Sequence, residues 1–117
     1  MAHGDVHYLR LTANPTPART FYQTMFGWRF GTPLVVGGRT YYPWDDGAGP
    51  GGDIVHPVLG EPVDWLPFVE VTNINTSLAL ATANGATVLV PVTSWVGGQK
   101  FAVLLDPFGA RFGLWEL

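Results

Sequence analysis

Cysteine is absent from the 117 residues, which removes thiol catalysis, zinc–cysteine sites and any disulfide framework. Charge is scarce too: 13 % of residues are Asp, Glu, Lys or Arg, against about 25 % in an ordinary globular domain. The six Lys and Arg are scattered singly, and the net charge is −3. No basic stripe offers the phosphate-neutralising footprint of a nucleic-acid binder, so no nucleic acid is expected as a partner. No polybasic patch suits an anionic membrane, and no run of about eighteen apolar residues spans one. The N-terminal MAHGDVHY lacks the basic segment and apolar run of a secretory signal. A cytoplasmic location is the expectation these absences leave.

What is present is apolar. Hydrophobic residues reach 47 %, with five Trp, in a chain whose length suits one domain over residues 1–117. So little charge covers a monomer poorly. Apolar surface beyond a single core is expected, as a subunit interface, an internal cavity or both.

Residues 5–13 alternate, with His7, Leu9 and Leu11 on one face and Tyr8, Arg10 and Thr12 on the other, the period of a half-buried strand. Asn14 offers a helix cap, followed by Pro15 and Pro17. Phe21, Tyr22, Met25 and Phe26 then fall in a stripe along one helical face, and Gly27 ends the helix. A short strand over 28–33, a Gly37-Gly38 hairpin turn, a strand over 39–44, a glycine-rich loop over 46–52 and a short peripheral strand over 53–58 follow. Residues 60–64 read as a linker. The second half repeats this grammar: a strand over 67–72, a helix capped by Asn73 or Asn75 and stopped at Asn84-Gly85, and strands over 88–92, 101–105 and 111–115. Leu9 and Leu11 correspond to Val69 and Val71, and Gly27 to Gly85. The chain is therefore read as α+β, with two tandem βαβββ modules at about 5–59 and 65–117. They are expected to form a curved mixed sheet around a central trough, with the helices outside.

Phe21–Trp28 (FYQTMFGW), Asn84–Ala86 (NGA) and Asp106–Glu116 (DPFGARFGLWE) together resemble the vicinal oxygen chelate superfamily, which groups glyoxalases, extradiol dioxygenases and bleomycin-resistance proteins. The resemblance covers essentially the whole chain. It implies a homodimer that holds a small molecule or a divalent metal on a concave sheet. It also implies metal-ligand columns. His7, fourteen residues before Phe21, fits the first column, and Asp53 or His56 fits the central one. The remaining columns hold Leu66 and Gly113, which offer a cation no donor. No metal and no other cofactor is therefore expected.

The alternation points the same way, because the helix-covered face must be apolar. Leu9 and Leu11 should face the helix and take His7 with them, leaving Tyr8 and Arg10 toward the trough. Arg10 maps onto Glu70 of the second module, either as a salt bridge or as a polar anchor for a ligand. Tyr42, Trp44, Phe68, Trp95 and Trp115 are expected to supply aromatic walls. The function expected is metal-free binding of a planar or apolar small molecule in an aromatic trough. The alternative is an enzyme of the same fold. It would be metal-dependent through His7 with Asp53 or His56, or metal-free and working by acid–base chemistry on a natural-product intermediate.

Overall fold

The computed structural model describes residues 2–47 and 51–117. Part of the expected glycine-rich loop, at 48–50, lies outside the described residues, as does Met1. Two compact units are present, Tyr8–Leu66 and Met1–His7 with Pro67–Leu117.

In the unit of residues 8–66, β1 (Val6–Thr12) contributes residues from Tyr8 onward and leads to α1 (Pro15–Phe26). The Asn14 side chain accepts from the Thr16 N–H, and Gly27 closes the helix in the left-handed region with φ 70°, where a Cβ is disfavoured. Four strands follow: β2 (Arg29–Phe30), β3 (Leu34–Val36), β4 (Arg39–Asp45) and β5 (Gly52–Val55). The sheet order is β2-β4-β5-β1, with β3 also on β4. β5 runs parallel to β1 and antiparallel to β4.

β5 is a correction to the sequence reading. It lies inside the sheet with all four residues buried, rather than at the periphery over 53–58. Glycine makes this possible, since a Cβ at Gly52 would overlap the Leu9 carbonyl oxygen and the Trp44 ring. The face under α1 buries Leu11, Trp44 and Ile54, with Leu9, Ala18, Tyr22 and Trp28 packed around them.

The apolar stripe on α1 is also not where amphipathicity would put it. Pro15 is the helix's buried residue, and Phe21, Met25 and Phe26 are more than half exposed. Tyr22 alone of the four reaches the core, because its ring stacks on Trp28 at 4.9 Å and fills the space beneath the helix. The exposed remainder of the stripe is apolar surface outside the core, of the kind the composition calls for.

In the second unit, β6 (Asp64–Glu70) contributes residues from Pro67 onward, followed by α2 (Ile74–Ala83), β7 (Thr87–Ser94), a 3-10 turn at Val96–Gly98, β8 (Lys100–Leu105) and β9 (Arg111–Glu116). Strand order is β6-β9-β8-β7, parallel between β6 and β9 and antiparallel elsewhere. Asn73, not Asn75, caps α2 through the Thr76 N–H. Asp106 accepts from the N–H groups of Phe108 and Ala110, closing the β8–β9 turn. Val71, Ile74, Ala102, Leu104 and Leu114 form the core under α2. The N-terminal segment belongs to this unit: Gly4 N–H donates to the Glu70 carbonyl at 2.7 Å and Glu70 N–H to the Asp5 carbonyl at 2.8 Å.

Candidate functional site

Each unit has a helix covering one sheet face, so chemistry collects on the other. In residues 8–66 the alternation of β1 sends Leu9 and Leu11 under α1 and leaves Tyr8 and Arg10 on the helix-free side. The register pairs Arg10 with Asp53. Arg10 Nε donates to Asp53 Oδ1 at 2.8 Å and Nη2 to Oδ2 at 3.1 Å, while the Tyr8 hydroxyl donates to Oδ2 at 2.7 Å. The guanidinium lies 4.5 Å above the Tyr41 ring. Arg10 and Asp53 are 4 % and 0 % exposed, so each charge depends on the other. Burial alone would lower the Arg10 pKa, but the adjoining Asp53 carboxylate more than offsets it and the net direction is upward. Burial, reinforced by Asp53, pushes the Tyr8 phenol well above its ordinary range. Burial likewise raises Tyr41, against the opposing pull of Arg10.

Tyr42 and Trp44, expected on this face, lie on the other one. Opposite residues of paired strands share a face, and Tyr42 pairs with buried Ile54 and Trp44 with Gly52. Trp44 therefore stacks on Trp28 at 4.0 Å and 8° under α1, edge-on to Trp65 at 6.2 Å. Three of the five Trp are framework on the helix side of this unit. Tyr41 and Asp53 hold the helix-free positions instead.

In the unit of 67–117 with the N-terminal segment, Phe68, Glu70 and Trp115 share the helix-free face, as expected. Phe68 meets Trp115 edge-on at 5.4 Å and Phe101 at 6.0 Å. Trp95 meets Trp115 at 5.3 Å and Phe101 at 5.7 Å. All four rings are buried. Gln99, which the sequence did not single out, fixes the cluster by accepting from Trp115 Nε1 at 2.9 Å. Phe68 fits because its partner in the ladder is Gly113, where a Cβ would overlap the ring.

At the edge of this cluster sits Glu70, 9 % exposed. Its Oε1 is buried without a hydrogen-bond partner. His7 lies on the same face, its ring 6.1 Å from Trp115 and its Nδ1 3.7 Å from Glu70 Oε1, too long for a hydrogen bond. The expectation that His7 follows Leu9 under a helix fails: His7 belongs to the other unit and lies beside Glu70 and Trp115. Thus Arg10 and Glu70, mapped onto each other by the repeat, each have a partner inside their own unit: Asp53 and His7. A buried carboxylate oxygen lacking a donor costs about 1–3 kcal/mol or more. It can accept a ligand's hydrogen, or a proton.

The residues present do not fit a metal ion. Among the described residues no three His, Cys, Asp or Glu side chains come close enough to hold one. Asp53 has both oxygens bonded to Arg10 and Tyr8. His56 is exposed, with Nδ1 3.0 Å from the Pro57 carbonyl.

No protein-family model matches the chain. A point variant of Streptomyces coelicolor methylmalonyl-CoA epimerase, solved with 2-nitronate-propionyl-CoA, aligns over 98 % of both chains with a TM-score of 0.72 and 15 % identity. The methylmalonyl-CoA epimerase of Mycobacterium tuberculosis aligns over 97 % of this chain and 87 % of its own, with a TM-score of 0.68 and 11 % identity. This is the vicinal oxygen chelate fold. By sequence, the chain is 24 % identical over 110 residues to the curated mycobacterial protein "Putative glyoxylase CFP32" of M. tuberculosis and M. bovis. That match takes in 90 % of this chain and 42 % of the relative, so the chain spans less than half the length of the curated relatives it matches. Within the vicinal oxygen chelate fold, these identities speak to architecture; the site must be read from its own residues.

Proposed function

We propose that the chain is a small-molecule-binding protein of the glyoxalase-like type. Its ligand meets the helix-free face of residues 67–117 at Glu70, at the edge of the aromatic cluster, and donates a hydrogen bond to it. The observation that supports this reading is the buried Glu70 Oε1 without a donor, beside four clustered rings. An orphaned acceptor suits a ligand carrying an N–H or O–H group, and the rings behind Glu70 keep its surroundings apolar.

Charge narrows the class. Arg10, Arg29, Arg39 and Lys100 are each paired with a carboxylate, and the net charge is −3. Few cations remain to meet the phosphates of a coenzyme A ester, the ligand type of the epimerase complexes. A neutral or cationic ligand fits better.

The test is tryptophan fluorescence, reported by Trp95 and Trp115, with nicotinamide and benzamidine as donor-bearing planar probes and coenzyme A as the polyanionic control. Saturable quenching by the donor-bearing probes is expected. Glu70→Gln should weaken it by about tenfold or more, the scale of a charged hydrogen bond. Unchanged affinity in that variant overturns the proposal, as does the absence of any response.

His7 near Glu70 favours a second reading, metal-free acid–base catalysis. There Glu70 takes a proton from a carbon beside a carbonyl, leaving an enolate, and returns a proton to that carbon. Wild-type protein in heavy water would then introduce deuterium into a bound 2-oxo acid or thioester, and Glu70→Gln would not. Without exchange, binding alone stands.

A further inference from the structure

We propose that residues 8–66 carry a separate site for a neutral small molecule bearing a carboxamide group. It is a cavity of about 430 Å³ between the start of α1, the β3–β4 turn and the segment after β5. The volume falls within the range of about 300–1,000 Å³ typical of ligand sites. Tyr42, expected from the sequence as a ligand-binding residue, is part of its wall.

That wall offers hydrogen bonds of both senses. Asn14 Oδ1 accepts from the Thr16 N–H at 3.3 Å, which leaves the Asn14 NH2 as a donor for a ligand. At His56, Nδ1 lies 3.0 Å from the Pro57 carbonyl. A carbonyl only accepts, so Nδ1 carries the hydrogen there and Nε2 is an acceptor. The Thr40 hydroxyl can serve in either sense, and Pro57 and Val58 add apolar surface. Donor and acceptor thus come from different elements around one space. A carboxamide carries their complement, a carbonyl oxygen for Asn14 and an N–H for His56.

Charge selects against the ionic relatives of that group. Among the described residues, Arg39 is the one Asp, Glu, Lys or Arg that lines the cavity. Glu61 cancels its charge through two hydrogen bonds, at 3.0 and 2.7 Å. A carboxylate would bring a charge without a counter-ion, and no N–H for His56 Nε2. An amidinium would bring the opposite charge, also without a counter-ion, and no acceptor for the Asn14 NH2. The carboxamide is neutral and supplies both. The end of α1 adds no anion site, because Pro15 and Pro17 have no N–H and that of Thr16 is capped.

Benzamide, benzoate and benzamidine share one ring and differ only in this group, so an NMR titration of backbone amides in the full chain compares them directly. Benzamide is expected to shift the amides of Thr16, Thr40, His56 and Val58, with both ionic probes about tenfold weaker there. Asn14→Asp keeps the oxygen that caps α1 but replaces the donor by a negative charge. At those amides it should weaken benzamide about tenfold and strengthen benzamidine, whereas Glu70→Gln should alter neither. Benzoate or benzamidine binding as tightly as benzamide in the wild type overturns the proposal. So do benzamide shifts confined to other residues, an unchanged benzamide affinity in Asn14→Asp, or no shifts at up to about 10 mM, the weak limit of useful affinity.

Discussion

Asp53 gathers two donors from β1 onto one buried carboxylate, Arg10 through two nitrogens and Tyr8 through its hydroxyl. Removing its charge strands the Arg10 guanidinium in the interior. Asp53→Asn should therefore destabilise the protein by about 3–5 kcal/mol, the usual scale for breaking a buried pair. Arg10→Met combined with Asp53→Leu should cost far less, since both charges then disappear together. Urea unfolding with an unchanged slope measures both; a double variant as unstable as the single one would mean packing rather than charge dominates.

Tyr8 adds an alkaline limit at the same site. Its phenol is raised above the ordinary 10.0, so above about pH 10 the unfolded chain loses a proton that the folded chain keeps. Stability from this group is full below that value and falls as pH rises above it. Thermal melting between pH 8 and pH 11 should show the decline in wild type and a shallower one in Tyr8→Phe. Equal slopes would assign the decline elsewhere.

Among the elements, the helices were the most legible, because their ends are written locally. Asn14 and Gly27 bound α1, and Asn73 and Asn84 bound α2. The strands were less so. Gly52 and Asp53 read as loop-edge residues until β1 and β4 are seen on either side of them. On β4 the alternation offers two assignments of equal merit, and the pairing of Trp44 with Gly52 decides between them. The candidate site was legible where strand parity alone placed it, at Phe68, Glu70 and Trp115. It was obscure where the partner comes from elsewhere in the chain, as with His7 beside Glu70 and Gln99 beside Trp115. The β6–β9 pair carries its own prediction. Gly113→Ala drives a methyl group into the Phe68 ring, an overpacking that should cost about 1–3 kcal/mol. Phe68→Leu in the same chain should recover part of it, and a double-mutant cycle measures the coupling. Strict additivity would show that the backbone yields instead.

Over the whole molecule, burial is uneven. β8 lies between β7 and β9 and has four buried residues, Phe101 to Leu104, whereas α1 has one, Pro15. Hydrogen exchange should therefore be slowest in β8 and β9 and faster along the outer side of α1. A helix α1 as protected as β8 would mean that something covers Phe21, Met25 and Phe26 in solution. The scarcity of charge has its counterpart in pairing. With Arg10, Arg29, Arg39 and Lys100 each committed to a carboxylate, added salt should change stability little, since exposed pairs contribute about 0–1 kcal/mol and the buried one is poorly screened.

The early residues that pair with Glu70 bear on how such a chain can be divided. Gly4 and Asp5 are bonded to β6, so the unit of residues 67–117 is completed by the chain's own beginning. A cut between β5 and β6 would divide the chain near where the sequence repeat begins again, without separating the two structural units. The downstream fragment would lack the strap that covers its first strand, along with the imidazole beside Glu70. Moving residues 2–7 to the head of that fragment would restore both, as a circular permutation does. The repeat read from the sequence and the compact units of the structure are thus offset from one another by the length of one short strand.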